Sequence, residues 1–178
     1  MDRIIAILEK IDRPGMKQVI EYMRKSNYAR AFGGSHHKYR GGLVDHALEV
    51  YQLMMERRGD LPEDSVAICA FFHDLGKSRC VGYQFEKDQD HPIRSVVILD
   101  RCGFQLTNDE RLTIEQHHSN WRGYFAHPLR HCLSSADMTS TGNWKMEHPK
   151  AGESPFHRLK NALLLEFSKK KLGKQEKG

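Results

Sequence analysis

One apolar stretch of the chain, AFFHDLGKSR from Ala70 to Arg79, carries three side chains that can do chemistry. His73, Asp74 and Lys77 stand where a core segment would continue with apolar residues. Burying an imidazole, a carboxylate and an ammonium together is costly unless each of them is paired. The stretch therefore predicts a buried polar site instead of plain core packing.

Two further candidate groups lie on the apolar faces of predicted helices that are distant in the sequence. His46 follows Leu43 by three residues and precedes Val50 by four, so it shares their helical stripe. Asp137 follows Leu133 by four residues on another stripe. Both side chains are therefore expected to face the core.

Three more histidines stand at or near helix ends. His117 and His118 follow Ile114 by three and four positions, so at least one of them should face inward, and His91 directly precedes Pro92. A single inward histidine is more often a hydrogen-bonded core residue than a metal ligand. Several such groups on separate helices are better explained by a shared ion, because imidazole and carboxylate suit first-row divalent metals.

Helices must position these groups, because apolar residues recur at helical spacing and few segments alternate as strands do. The fold class predicted is all-α, a single-domain helical bundle. Residues 1–34 are expected to be N-terminal helices packed on a metal-binding helical domain of residues 35–168, and residues 169–178 to be a flexible basic tail. The predicted helices begin near Ile4, Pro14, Leu43, Val66, Pro92, Asn108, Leu129 and Pro155.

Composition limits the class of protein. The 178 residues are 39% hydrophobic and 29% charged, as in soluble globular proteins, and no apolar run approaches the roughly 20 residues of a membrane helix. Four scattered cysteines and the lack of a secretory signal predict reduced thiols and a cytoplasmic location. The net charge of +5 allows an anionic partner without establishing one.

Taken together, His46, the His73-Asp74 pair and Asp137 resemble the H…HD…D signature of the HD-domain superfamily of metal-dependent phosphohydrolases. The segment HDLGK is similar to the most recognisable motif of that family, including its glycine turn and lysine. The segment SHHKYRGGLVDHALEV also resembles the entry to the first histidine helix in HD domains of some bacterial 3′→5′ exoribonucleases. The likeness covers residues 35–140 and implies a bundle of the HD-domain type.

The resemblance implies a set of metal ligands, which is larger in members that bind two ions. His91 and His117 stand where the additional ligands are expected, and His118 is the second candidate of its pair. The implied ligands are His46, His73, Asp74, His91, His117, His118 and Asp137. They suit Mn, Fe, Co or Ni, with Mg and Zn as alternatives, and the number of ions, one or two, stays open. The sequence SNWRGYFAHP replaces the GYP of cyclic-dinucleotide phosphodiesterases, which argues against that substrate.

Asp74 and Lys77 are the predicted catalytic residues. Asp74 can offer one oxygen to each of two ions, and the Lys77 ammonium is expected to reach a phosphate oxygen, although a surface lysine at a helix end is the plainer alternative. His37, Arg40 and Arg94 are the other predicted substrate contacts. For each of these three, a solvated loop or ordinary packing is the alternative.

The expected function is hydrolysis of a phosphomonoester or phosphodiester by a metal-activated water, with a small nucleotide-type substrate. One alternative is a di-iron oxygenase that uses the same ligand set. Another is a metal-stabilised domain that binds nucleic acid without catalysis, although the sequence has no obvious basic or aromatic stripe. No membrane partner is expected, and the oligomeric state is left open.

Overall fold

The computed structural model describes residues 1–34, 36–85, 90–118 and 127–147, with side chains as far as residue 143. All regular structure in these ranges is helical, so the predicted all-α class is confirmed. Single 3₁₀ turns cover Tyr28–Arg30 and Leu75–Lys77. The helices are α1 (Asp2–Leu8), α2 (Met16–Lys25), α3 (Gly42–Arg57), α4 (Glu63–Phe72), α5 (His91–Arg101), α6 (Asn108–Glu115) and α7 (Pro128–Glu147).

The chain divides into two compact units, Met1–Ser140 and Thr141–Gly178. In the second unit the described residues are the C-terminal end of α7. The predicted helix from Pro155 and the basic tail at 169–178 lie outside the described residues. The predicted division of the chain at residues 34 and 168 stays a prediction.

α4 is the central helix of the first unit and is apolar on all sides. Every residue from Val66 to Phe72 is buried, which is typical of a helix enclosed by others. α3, α6 and α1 pack around it. The prediction placed this helix at residues 66–75, but it begins at Glu63, where Glu63 and Asp64 suit the positive end of the helix dipole. It ends at Phe72, so that His73 and Asp74 emerge from the middle of the core.

α6 begins with a capping box. The Glu110 backbone N–H donates to Thr107 Oγ1 over 3.2 Å, and the Thr107 backbone N–H donates to Glu110 Oε2 over 2.9 Å. Glu110 is fully buried and also pairs with Arg13, which joins α6 to the segment between α1 and α2. This cap fixes the first residue of α6, and hence the position of His117 and His118, which follow its last turn.

The Leu75–Lys77 turn packs directly on the first turn of α5. The Gly76 backbone N–H donates to Ser95 Oγ over 2.8 Å, and the Ser95 hydroxyl lies 2.9 Å from both His73 O and His91 O. A Cβ placed on Gly76 would come within 2.2 Å of His91 O. The glycine of HDLGK is therefore required by close backbone approach, and this approach sets His91 beside Asp74.

Replacing Gly76 by alanine is expected to destabilise the fold by about 2 kcal/mol, because overpacking a filled interface typically costs about 1–3 kcal/mol. Urea unfolding followed by circular dichroism measures this change. Gly142→Ala in α7 is the control: its added Cβ meets no described atom within 4 Å, and alanine is the better helix former. Equal stability of Gly76→Ala and the wild type would contradict the packing argument.

Candidate metal centre

The seven side chains predicted as metal ligands lie together at the middle of the first unit, and we call them the His/Asp cluster. They form two groups, within each of which the ligand atoms lie within 4.8 Å of one another. One group contains Asp74, His91, His117 and His118, and the other contains His46, His73 and Asp137. They come from α3, the end of α4, the start of α5, the residues after α6, and α7.

The carboxylate of Asp74 lies between these two groups and is almost fully buried. Its Oδ1 lies 3.0 Å from His91 Nε2 and 3.7 Å from His117 Nε2. Its Oδ2 lies 3.5 Å from His46 Nε2 and 3.4 Å from His73 Nε2. Each oxygen therefore faces a different set of imidazoles.

The second group is equally compact. His46 Nε2 lies 3.3 Å from His73 Nε2 and 3.2 Å from Asp137 Oδ1. Both imidazoles are fully buried, and Asp137 is 9% exposed. α3, the end of α4 and α7 thus bring their polar groups to one point.

Two imidazoles of the cluster are oriented by the C-terminal ends of their own helices. His73 Nδ1 donates to Ala70 O over 2.9 Å, and His117 Nδ1 donates to Ile114 O over 2.7 Å. The last carbonyls of a helix have no partner within the helix, so they are free to accept these bonds. A carbonyl only accepts, so the proton lies on Nδ1 and the lone pair of Nε2 points into the cluster.

His46 is oriented by a chain of two side chains. Its Nδ1 lies 3.0 Å from Ser140 Oγ, and the Ser140 hydroxyl donates to Glu49 Oε2 over 2.7 Å. Because the hydroxyl proton is used on Glu49, Ser140 Oγ accepts from His46 Nδ1, which again leaves the Nε2 lone pair for the cluster. Sequence reasoning missed both partners, although Glu49 follows His46 by three residues and Ser140 follows Asp137 by three.

A family model for the HD domain matches residues 43–162, about two thirds of the chain. The chain belongs to the HD domain family. The predicted family and the HD-type all-α fold are therefore confirmed, and membership places the chain in a superfamily of metal-dependent hydrolases. No curated protein and no solved structure was similar enough to the chain to count as a match.

The donors of this HD domain fit a divalent cation. Among the described residues, Asp74 Oδ1 and His117 Nε2 are buried atoms without a hydrogen bond, and such atoms are costly unless something else pairs with them. Both face the interior of the same ligand group. Imidazole and carboxylate are also the donor types that first-row divalent ions bind.

The pKa values of the two carboxylates reflect the imidazoles around them. Burial by itself raises the pKa of Asp74, but the surrounding imidazoles of His73, His117 and His91 lower it well below the usual range. Burial likewise raises the pKa of Asp137, whereas the neighbouring imidazoles of His46 and His73 lower it far more. Both carboxylates are therefore anions at neutral pH.

A consecutive pair of histidines borders the second group, and sequence reasoning proposed only one of them. His36 and His37 are both buried, with their Nδ1 atoms 3.0 Å apart and their rings 4.6 and 5.3 Å from the His46 ring. His37 Nε2 also lies 3.4 Å from Glu49 Oε2. A Cβ on Gly42 would lie 2.0 Å from His37 O, so this glycine lets the loop press the pair against His46.

Of the other predicted substrate residues, Lys77 and Arg94 line a cleft at the edge of the cluster, and Arg40 does not. Lys77 Nζ donates to Asp74 Oδ2 over 2.6 Å and to Gly33 O over 3.1 Å, and its side chain lines a surface cleft of about 960 Å³ together with His91 and Arg94. Arg40 is exposed on the loop before α3 and is not part of the described lining of that cleft.

The stability of the metal-free protein should fall on acidification. Burial, helped by the charges of His46 and Lys77, lowers the pKa of His36 from 6.5 to about 4, so between these values the unfolded chain binds a proton that the folded chain does not. Below pH 3.8 the stability falls further, because the pKa values of Asp74 and Asp137 are lowered in the folded chain and these carboxylates then take up protons only in the unfolded chain.

Melting temperatures measured with a chelator from pH 7.5 to 3.5 test this dependence. His36→Gln should reduce the slope of the curve between pH 6.5 and 4 and leave the more acidic part steep. The remaining slope in that range comes from His118, whose pKa burial also lowers to about 4. A wild-type melting temperature that stays constant between pH 6.5 and 4 would contradict the assignment.

Proposed function

We propose that the chain is a metal-dependent phosphohydrolase that cleaves a phosphomonoester or phosphodiester bond of a nucleotide-type substrate with an activated water. The observation that carries the proposal is the position of Asp74. Its two oxygens face two different groups of imidazoles, and its Oδ2 also meets a lysine on the wall of an open cleft.

We assign the seven members of the His/Asp cluster as the residues that hold one or two divalent ions, with Asp74 shared between the two groups. Mn, Fe, Co and Ni are the proposed metals, and Mg and Zn are alternatives. A bound divalent ion would lower the pKa of a water ligand toward neutrality and offset the charge of a phosphate. His118 is exposed, so it is the ligand with the least support from burial.

Substrate binding is assigned to the cations on the cleft wall. Lys77 is half-buried between Asp74 and Gly33, which places its ammonium next to the cluster and within the cleft. Arg94 lines the same cleft, and a guanidinium can bind two oxygens of one phosphate. His37 lies behind the cluster and Arg40 on the exposed loop, so their proposed role as substrate contacts has less support.

We propose a small phosphate ester as the partner and the cytoplasm as the compartment. All four cysteines, Cys69, Cys80, Cys102 and Cys132, are free thiols, as is usual in a reducing compartment. None of the helices in the described part of the chain has the length and apolar character needed to cross a bilayer.

The metal assignment predicts that Asp74→Ala loses bound metal, metal-dependent thermal stabilisation and activity. Metal binding to the folded chain adds to its stability, and removing the shared ligand should lower the turnover at least about a hundredfold. The measurements are elemental analysis after loading with manganese, melting temperature with and without the metal, and hydrolysis of a chromogenic phosphodiester. Asp12→Ala, an exposed carboxylate between α1 and α2, is the matched control.

Unchanged metal content in Asp74→Ala would contradict its role as a ligand. Nucleoside mono- and triphosphates, cyclic nucleotides and the chromogenic ester form the substrate panel. If the metal-loaded wild type hydrolyses none of them, the hydrolase proposal fails. Oxygen uptake by the iron-loaded protein would then favour oxidation.

The Glu49–Ser140–His46 chain generates a separate prediction. Ser140→Ala removes the acceptor that holds the His46 proton on Nδ1. Loss of a hydrogen-bond partner of a metal ligand typically lowers metal affinity about 10–100-fold, and we expect a decrease of this size. Competition with a chromophoric chelator measures the affinity. Ser135→Ala on the same helix, whose hydroxyl contacts Arg57 at the surface, should bind metal as the wild type does. Equal affinity of the two variants would show that Ser140 does not position the ligand.

A further inference from the structure

The cleft beside the His/Asp cluster carries more positive charge than one reacting phosphate needs. Its described lining includes Arg30, Lys77, Arg79 and Arg94 and no aspartate or glutamate. Lys77 and His91 contact Asp74 and therefore form its inner end. We call this surface the basic cleft.

Arg30 and Arg79 extend the basic cleft toward solvent. Both side chains are exposed, and neither has a carboxylate partner among the residues that the structure describes. They lie on two segments that are tied together, since the Asn27 N–H donates to Arg79 O over 3.0 Å and the Arg79 N–H donates to Asn27 Oδ1 over 2.6 Å. The segments that carry the two arginines are thus held together by hydrogen bonds that do not involve the guanidinium groups.

Aromatic side chains are interleaved with these cations. Phe32 is 59% exposed at the cleft, which is unusual for a large apolar ring, and Phe85 and Tyr83 also line it. The Arg94 guanidinium lies 5.8 Å from the centre of the Phe85 ring. Exposed aromatic rings between basic groups are the features on which nucleobases stack in grooves that bind single strands.

Part of the outer basic cleft lies outside the residues that the family model matches. Arg30 and Phe32 precede residue 43, where the match to the HD domain begins. The segment that carries them contacts the inner end of the cleft, since Gly33 O accepts from Lys77 Nζ. Residues that precede the matched range therefore contribute to the cleft.

We propose that the outer part of the basic cleft is a second anion subsite, which binds a phosphate group other than the one that is hydrolysed. The preferred substrate would then be a nucleotide with at least two phosphate groups, with a base stacked on Phe32. This inference rests on the proposed function and specifies its substrate class. The cleft volume of about 960 Å³ lies at the upper end of the range for ligand pockets, about 300–1,000 Å³, and accommodates such a molecule.

Direct binding to the metal-free protein tests the subsite without turnover. Fluorescence anisotropy would measure the affinity for a labelled single strand of five nucleotides. Competition against this strand would measure the affinities for a nucleoside triphosphate and for a nucleoside monophosphate. Arg30→Gln and Arg79→Gln should each weaken binding of the strand and the triphosphate about fivefold or more. Each should also reduce the salt dependence for the strand by about 0.7 in the log–log slope.

Phe32→Ser should weaken binding of the strand roughly tenfold, because each base that stacks on an aromatic ring adds to the binding free energy of the strand. Arg3→Gln is the matched control, since it removes an exposed arginine from α1, away from the described lining of the cleft. For the metal-loaded protein, KM for a chromogenic ester with a single phosphate should be the same in the arginine variants as in Arg3→Gln.

The proposal is overturned if the wild type binds none of the three ligands, or if it binds the monophosphate as tightly as the other two. It is also overturned if Arg30→Gln and Arg79→Gln bind as Arg3→Gln does. Preference for the strand or for the triphosphate identifies the source of the second phosphate, and both results support the subsite. Arginine-dependent binding without hydrolysis of any ester would refute the proposed function alone, whereas ester hydrolysis without any arginine effect would refute the subsite alone.

Discussion

A buried carboxylate surrounded by imidazoles is the constraint on which the site depends. Asp74 is 2% exposed, and its two oxygens face His91 and His117 on one side and His46 and His73 on the other. An isolated anion at this depth would be too costly to keep. The imidazoles make its ionised form tolerable, as the lowered pKa shows, and two atoms are still left without hydrogen bonds. A bound cation would both stabilise the Asp74 anion and pair with these two atoms.

The fold provides this constraint by ending an apolar helix in its own core. α4 is buried on every side as far as Phe72, so the residues that follow it emerge among α3, α5 and α6. Gly76 then lets the chain pass against the first turn of α5, and Ser95 ties that turn to His73 O and His91 O. This close backbone approach fixes the position of His91 relative to His73 and Asp74.

The orientation of three imidazoles is set by hydrogen-bond partners that lie outside the cluster. His73 and His117 donate from Nδ1 to carbonyls of their own helix ends, and His46 donates to the hydroxyl of Ser140, which itself donates to Glu49. All three arrangements hold the proton away from the cluster and leave Nε2 as the acceptor. The free carbonyls at helix ends thus contribute to the metal centre as well as to the fold.

The sequence by itself determined the helical class, the inward positions of His46 and Asp137, and the family, because helical periodicity and the HDLGK motif are local features of the chain. It did not reveal the roles of Ser140 and Glu49 or the burial of His36, because these depend on contacts between α3, α7 and the loop before α3. Of the basic cleft, the sequence indicated Lys77 and Arg94, whereas Arg30 and Arg79 look like ordinary surface charges along the chain. Only the tertiary structure brings them together, because distance in space between such groups depends on how helices pack and not on sequence spacing.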